Sequence, residues 1–208
     1  MFYFVKMPGF IKRLYRGCLW SIDTIDKTIY LTFDDGPHPE ITPYVLEELK
    51  KFNAKATFFC IGKNVVDNPH MYDRILAEGH STGNHTFNHV NAWKVRDDIF
   101  LKDVEEAMQV INSRMFRPPY GKITRFQIKQ LAKPRFALRP VMWDVISGDF
   151  DKEISPSRCV DNVLLNAGPG SIVVFHDSRK AFENLRYALP ITLEHFYNKG
   201  YSFKSIIL

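Results

Sequence analysis

Apolar positions along the chain fall into two kinds of run that take turns. Residues Thr28–Asp34, TIYLTFD, alternate and are rich in β-formers, which predicts a strand. Val45, Leu46 and Leu49 then recur at helical spacing, predicting a helix over residues 39–53. Residues 55–62, KATFFCIG, read as a second strand, and residues 69–80 as a helix with Pro69 in its first turn and Gly79 at its stop. A short segment at 81–85 leads to a helix predicted over 98–115 and a loop at 116–121. Further on come a helix at 124–132, a strand at 140–147, and a helix at 155–167 behind the cap residue Ser155. A strand at 170–177, a helix at 181–200 and a short strand at 201–206 complete the series.

Strands alternating with helices predict a parallel sheet, either a barrel or a doubly wound sheet. No internal repeat and no Gly/Ser linker divides the 208 residues, so one domain is expected over residues 26–208, preceded by a lead-in segment, 1–25. The polar, non-periodic clusters fall at strand ends, where parallel α/β folds build their sites.

Composition changes this picture little: 45% hydrophobic and 25% charged residues suit an ordinary globular chain. The net charge of +5 suits an anionic partner, but basic residues cluster only at the start, so nucleic acid is not expected. Cys18, Cys60 and Cys159 are too scattered for a disulfide framework or a metal pair. The N-terminus mixes aromatics with Lys6, Lys12, Arg13 and Arg16, and lacks both a membrane-spanning run and the order of a signal peptide. A cytoplasmic or membrane-peripheral protein is expected from this. The first residues either pack on the domain through Trp20 or rest on a membrane surface.

Chemistry changes the picture more. Asp34 and Asp35 stand side by side where the first strand gives way to Gly36-Pro37, and adjacent carboxylates repel unless a cation sits nearby or their roles differ. His85 and His89, four apart, would share one face of a helical turn and could meet one ion. With a strand-end Asp they make a two-His, one-Asp set for a divalent metal. Zinc is the default, with cobalt, nickel and manganese as alternatives. Arg117 precedes two prolines in FRPPYG, a rigid loop suited to holding a carboxylate. His176 ends an apolar strand and is placed to act as a general acid.

Taken in order, TFDDGP, HTFNH, RPPYG, WDVISGDF and VFH resemble the five motifs of the polysaccharide deacetylases, carbohydrate esterase family four, with the NodB homology domain. The resemblance implies a distorted, incomplete (β/α) barrel and hydrolysis of an acetyl group, usually N-acetyl, from a saccharide. It implies Asp35, His85 and His89 as metal ligands, Asp34 as the base, Arg117 as the residue orienting Asp34, and His176 as the acid. The backbone N–H of Tyr120 would hold the oxyanion.

The chain departs from the family pattern in its last two motifs. Ile146 stands where an acidic residue is usual, Phe150 where tryptophan is, and Val174 where leucine is. Asp149 is expected to tune His176 or Arg117, with Asp144 as the alternative, while Phe150 and Val174 are expected to wall the acetyl pocket. Two other readings stay open: a catalytically silent carbohydrate-binding domain, and an O-acetyl esterase or other amidase using the same site. The saccharide itself is left open among polymer, oligosaccharide and lipid-linked sugar.

Overall fold

The computed structural model describes residues 3–208. Among these, eight parallel strands form one sheet in the order β5-β4-β3-β2-β1-β7-β6, with β8 pairing β1 at its start. The strands are β1 Thr28–Asp34, β2 Thr57–Cys60, β3 Ser81–Asn84, β4 Met115–Phe116, β5 Arg139–Pro140, β6 Val145–Ile146, β7 Ile172–His176 and β8 Ser202–Phe203. The helices are α1 Gly9–Leu14, α2 Ile41–Lys51, α3 Gly62–Asp67, α4 Pro69–Ala77, α5 Asp97–Met108, α6 Arg125–Leu131, α7 Pro156–Leu164 and α8 Phe182–Asn198.

Strand β1 runs through the middle and is buried on both faces except at Tyr30, as a helix-covered parallel strand should be. Its register sets Asp34 opposite Phe59 on one side and His176 on the other. Leu31, Phe33, Phe58 and Phe175 pack outward against Val45, Leu49, Leu189 and Leu193 of α2 and α8. Helix α8 continues through Pro190, which has no N–H to offer the Arg186 carbonyl; the Tyr44 hydroxyl donates to that carbonyl instead, at 3.0 Å. Helix α7 starts behind Ser155, whose hydroxyl accepts the Arg158 N–H at 3.2 Å, with Pro156 in the first turn.

Three assignments differ from the pattern by more than a shift of a few residues at an end. The helix expected to reach residue 115 ends at Met108, and Met115 already belongs to β4. The strand expected over 140–147 is split into β5 and β6, with 141–144 between them. Residues 62–67, without periodicity of their own, form α3.

The outer strands β5 and β6 are both lined by the N-terminal segment. The Leu19 N–H donates to the Pro140 carbonyl at 2.8 Å, and the Met142 N–H donates to the Leu19 carbonyl at 2.7 Å. On the other flank, Met7 N–H donates to the Asp144 carbonyl and Ile146 N–H to the Val5 carbonyl, at 2.8 and 2.9 Å. Trp20 is buried with Cys18 and Met142 behind this seam. No helix among the described residues is long and apolar enough to cross a membrane.

Candidate active site

The C-terminal end of β1 delivers Asp34 and Asp35 to the same mouth of the barrel. Asp34 stays in strand geometry, while Asp35 turns into the left-handed region at φ 78°, so the two carboxylates part company. The Asn64 amide of α3 donates to the Asp35 carbonyl at 2.7 Å, and the Asp177 N–H donates to the Asp34 carbonyl at 3.1 Å. The next residue must be glycine for want of space: a Cβ on Gly36 would lie 2.1 Å from the Asp177 carboxylate.

His85 and His89 lie not on a helical turn but on the loop after β3. Thr86 and His89 take positive φ angles of 64° and 57°, breaking any helix between the two imidazoles. Asp103 of α5 holds this loop instead, accepting the Phe87 and Asn88 N–H groups at 2.8 and 3.0 Å and the Asn88 side-chain amide at 2.7 Å. The ring centres of His85 and His89 are 5.1 Å apart, so the folded loop still delivers both to one point.

That point is Oδ1 of Asp35. It is buried without a well-formed hydrogen bond, with His89 Nε2 at 3.2 Å and His85 Nε2 at 3.6 Å. His85 Nδ1 lies 2.7 Å from the Arg117 carbonyl, which can only accept, so the proton sits on Nδ1 and Nε2 carries a lone pair. Burial pushes the His85 imidazole down to about 4, so it is neutral at pH 7. A carboxylate oxygen and an unprotonated imidazole nitrogen therefore face each other, an arrangement that repels unless a cation lies between them. Burial alone would raise the Asp35 carboxyl, but contact with His89 and the charge of His176 outweigh it and hold it well below the usual carboxylate range. One ligand atom from each of Asp35, His85 and His89 lies within 4.8 Å of the others. The three side chains fit a divalent ion of the kind that two imidazoles and a carboxylate hold.

Asp34 is bonded to Arg117 rather than to the histidines. The fully buried guanidinium donates to Asp34 Oδ1 and Thr32 Oγ1, both at 2.7 Å, and to the Val141 and Met142 carbonyls at 3.0 and 2.8 Å. Its central carbon lies 4.0 Å from the centre of the Phe59 ring. Each nitrogen of the guanidinium is engaged, which fixes Asp34 in one orientation.

His176, beside Asp34 in the register, is tied to Asp149 twice: Nδ1 at 2.8 Å from Oδ1, and its backbone N–H to Oδ2 at 2.7 Å. Burial opposes a charge here, but Asp149, with Asp35 and Asp34 behind it, raises the imidazole to about 9. Phe150 sets its ring edge-on to His176 at 5.1 Å and is backed by Tyr3 at 5.3 Å. Val174 lies two residues below His176 on the same strand face, fully buried.

Tyr120 follows the two prolines with φ 60°, a costly angle for a bulky residue, and its ring lies 4.7 Å from that of His89. Asp144 is elsewhere, accepting from Lys6, Lys12 and Ser171 behind the seam, so it does not reach His176 or Arg117. Ile146 is a core residue of β6.

Asp103 carries no motif signal, and although Thr32 opens the motif TFDDGP and Asp177 follows VFH, their partners lie far away in sequence. Asp177 is fully buried, with Thr42 donating to Oδ2 and no partner for Oδ1. Burial pushes its carboxyl up to about 7 against that hydrogen bond.

A parallel barrel with its polar groups at the strand C-termini places the chain among the α/β proteins that build their sites on that face. Within them, the chain belongs to the polysaccharide deacetylase family, whose sequence model, "Polysaccharide deacetylase", matches residues 21–135. A peptidoglycan-N-acetylglucosamine deacetylase of Bacillus cereus is 33% identical over 193 residues, covering 90% of each chain. Another protein of that name from Bacillus cereus is 38% identical over 156 residues, and the match spans 72% of this chain but only 56% of that one. The crystal structure of a peptidoglycan N-acetylglucosamine deacetylase with 4-naphthalen-1-yl-N-oxidanyl-benzamide superposes with a TM-score of 0.86 at 32% identity, over 96% of this chain and 95% of the other. The fold is the distorted, incomplete barrel that the motifs imply.

Proposed function

We propose that this protein removes N-acetyl groups from an amino-sugar polymer in a hydrolysis that needs one divalent ion, zinc by preference. The lone pairs that face each other across 3.6 Å at Asp35 and His85 carry this reading, because they need a cation. A bound ion supplies Lewis acidity there, lowering the pKa of a water and polarising an acetyl carbonyl. Asp35, His85 and His89 would hold it.

The chain's own groups take the remaining roles. Asp34, fixed by Arg117, receives the proton of the attacking water as the new carbon–oxygen bond forms. The Tyr120 backbone N–H donates to the carbonyl oxygen as negative charge collects on it. His176 keeps one N–H on Asp149 and gives the proton on its other nitrogen to the departing amine as the carbon–nitrogen bond breaks. The products are acetate and a free amine. Phe150 forms the apolar wall against the acetyl methyl, with the fully buried Val174 behind that surface rather than on it.

The relatives named for peptidoglycan N-acetylglucosamine support that polymer as the first substrate to test. The ligand of the superposed structure is a hydroxamate, a group that chelates divalent ions through two oxygens, which supports the metal requirement. The exposed Phe10, Arg13, Leu14 and Arg16 in and after α1 support contact with an anionic surface, testable by co-sedimentation with anionic against neutral vesicles.

The test is acetate release from peptidoglycan and from N-acetylglucosamine oligomers by chelator-treated protein, with and without added zinc. Asp34→Asn should lose turnover and keep zinc binding, while His85→Ala should lose both. Near-normal turnover by Asp34→Asn would remove the base assignment. Release that is indifferent to both chelator and zinc would remove the metal.

A further inference from the structure

A band of aromatic surface leads away from the metal triad and ends in a second cleft. The ring of Tyr120, tilted against that of His89 at 4.7 Å, is 54% exposed. Two residues on, the Lys122 ammonium lies 4.3 Å from the centre of the Trp93 ring. Trp93 is itself 57% exposed, whereas Trp20 is buried. Single exposed aromatics are common and mean little. Here, however, the Lys122 ammonium lies over the ring, and the Trp93 backbone N–H donates to Asn91 Oδ1 at 3.0 Å, fixing the chain that carries it.

Trp93 lines an open cleft of about 790 Å³ together with Val95, Arg96, Asp98 and Thr124. Helices α5 and α6 begin at this cleft, so it lies on the face of the barrel that carries the catalytic groups. Arg96 and Asp98 clasp each other through two bonds, at 3.0 and 2.8 Å, presenting a flat row of donors and acceptors beside the indole. A sugar ring has one face of C–H groups and a rim of hydroxyls. It matches an aromatic plate flanked by planar polar groups better than does a purely apolar or purely ionic ligand.

We propose that the Trp93 cleft is a second saccharide subsite. It would take a sugar further along the same chain whose N-acetyl group lies at the metal triad, with Tyr120 beneath the connection. The subsite rests on the saccharide reading given above and adds to it a preference for chain length. Lys122 holds the plate, Trp93 stacks on the sugar, and the Arg96–Asp98 pair meets its hydroxyls.

Binding tests this without turnover. Wild-type protein, Trp93→Ala and Trp93→Phe are titrated by calorimetry with monomeric and hexameric N-acetylglucosamine, and fluorescence is followed in parallel. Wild type should bind the hexamer far more tightly than the monomer and show a change in indole emission on binding. In Trp93→Ala the hexamer should lose about tenfold in affinity, roughly 1.4 kcal/mol, so that its advantage over the monomer collapses. Trp93→Phe should recover part of that advantage, since a ring remains. Equal hexamer-to-monomer ratios in wild type and Trp93→Ala would overturn the subsite while leaving the deacetylase reading intact. Failure of the wild type to bind either sugar would overturn both.

Discussion

Asp149 grips His176 at the ring and at the backbone, and neither bond can be made by a neutral group of different shape without loss. In the metal-free protein the imidazole is raised to about 9, against burial, by that carboxylate. A group raised in the folded state stabilises it fully below its unfolded pKa, near 6.5, and the gain is lost as pH rises through about 9. An NMR titration of the metal-free protein should place His176 near the upper value, and Asp149→Asn should move it down, because burial then acts against only the more distant Asp35 and Asp34. In the metal-loaded enzyme the same variant should shift the alkaline limb of activity to lower pH. An unmoved resonance would show that Asp149 holds the ring without tuning it. The adjacent carboxylates at 34 and 35 were legible from sequence because repulsion between neighbours needs no fold to be noticed. Asp103 was not, and the partners of Thr32 and Asp177 were not although both stand in or beside the motifs, since each acts on a group that only the fold brings near.

At the scale of elements, periodicity located β1, β2, β7 and the long helices, whose apolar faces are long enough to count. It failed at the histidines, where four-residue spacing suggested a helical turn. The spacing is produced instead by a loop with two left-handed residues tied down by Asp103. It also failed at β4, β5 and β6, each two residues long and too short to carry a period. The N-terminal segment shows no strand signal, because its bonds to β5 and β6 are backbone bonds that any sequence can make. Its hold on the barrel can be tested at Gly170, where φ is +76° and a Cβ would lie 1.9 Å from the Ile22 carbonyl oxygen. Gly200, at φ +77° with open space around it, is the control for the backbone cost alone. Gly200→Ala should lose about 1–2 kcal/mol. Gly170→Ala should lose at least about 1 kcal/mol more, which for a chain of this size lowers Tm by a further ~2–4 °C. Equal losses would mean that the segment yields freely and does not brace the barrel.

For the whole molecule, the proposed ion site couples parts that fold from distant stretches of chain. Asp35 leaves the central strand, His85 and His89 leave the loop after β3, and the Arg117 carbonyl, from the next motif, sets the tautomer of His85. An ion held by all of them binds the folded state and not the unfolded chain, so it stabilises by mass action. At a free zinc concentration of about a hundred times Kd the gain is ~2.7 kcal/mol. With ~2–4 °C per kcal/mol at this size, Tm should rise by roughly 5–11 °C over the chelated protein. The sign of the effect in variants separates ligand from base. His85→Ala removes a ligand and should abolish the rise. Asp34→Asn keeps the triad and should retain it, even though its turnover is lost and its bond to Arg117 is weakened. A rise of equal size in both variants would place the ion outside the Asp35–His85–His89 cluster. Loss of the rise in both would make Asp34 a ligand and leave the hydrolysis without the base assigned to it.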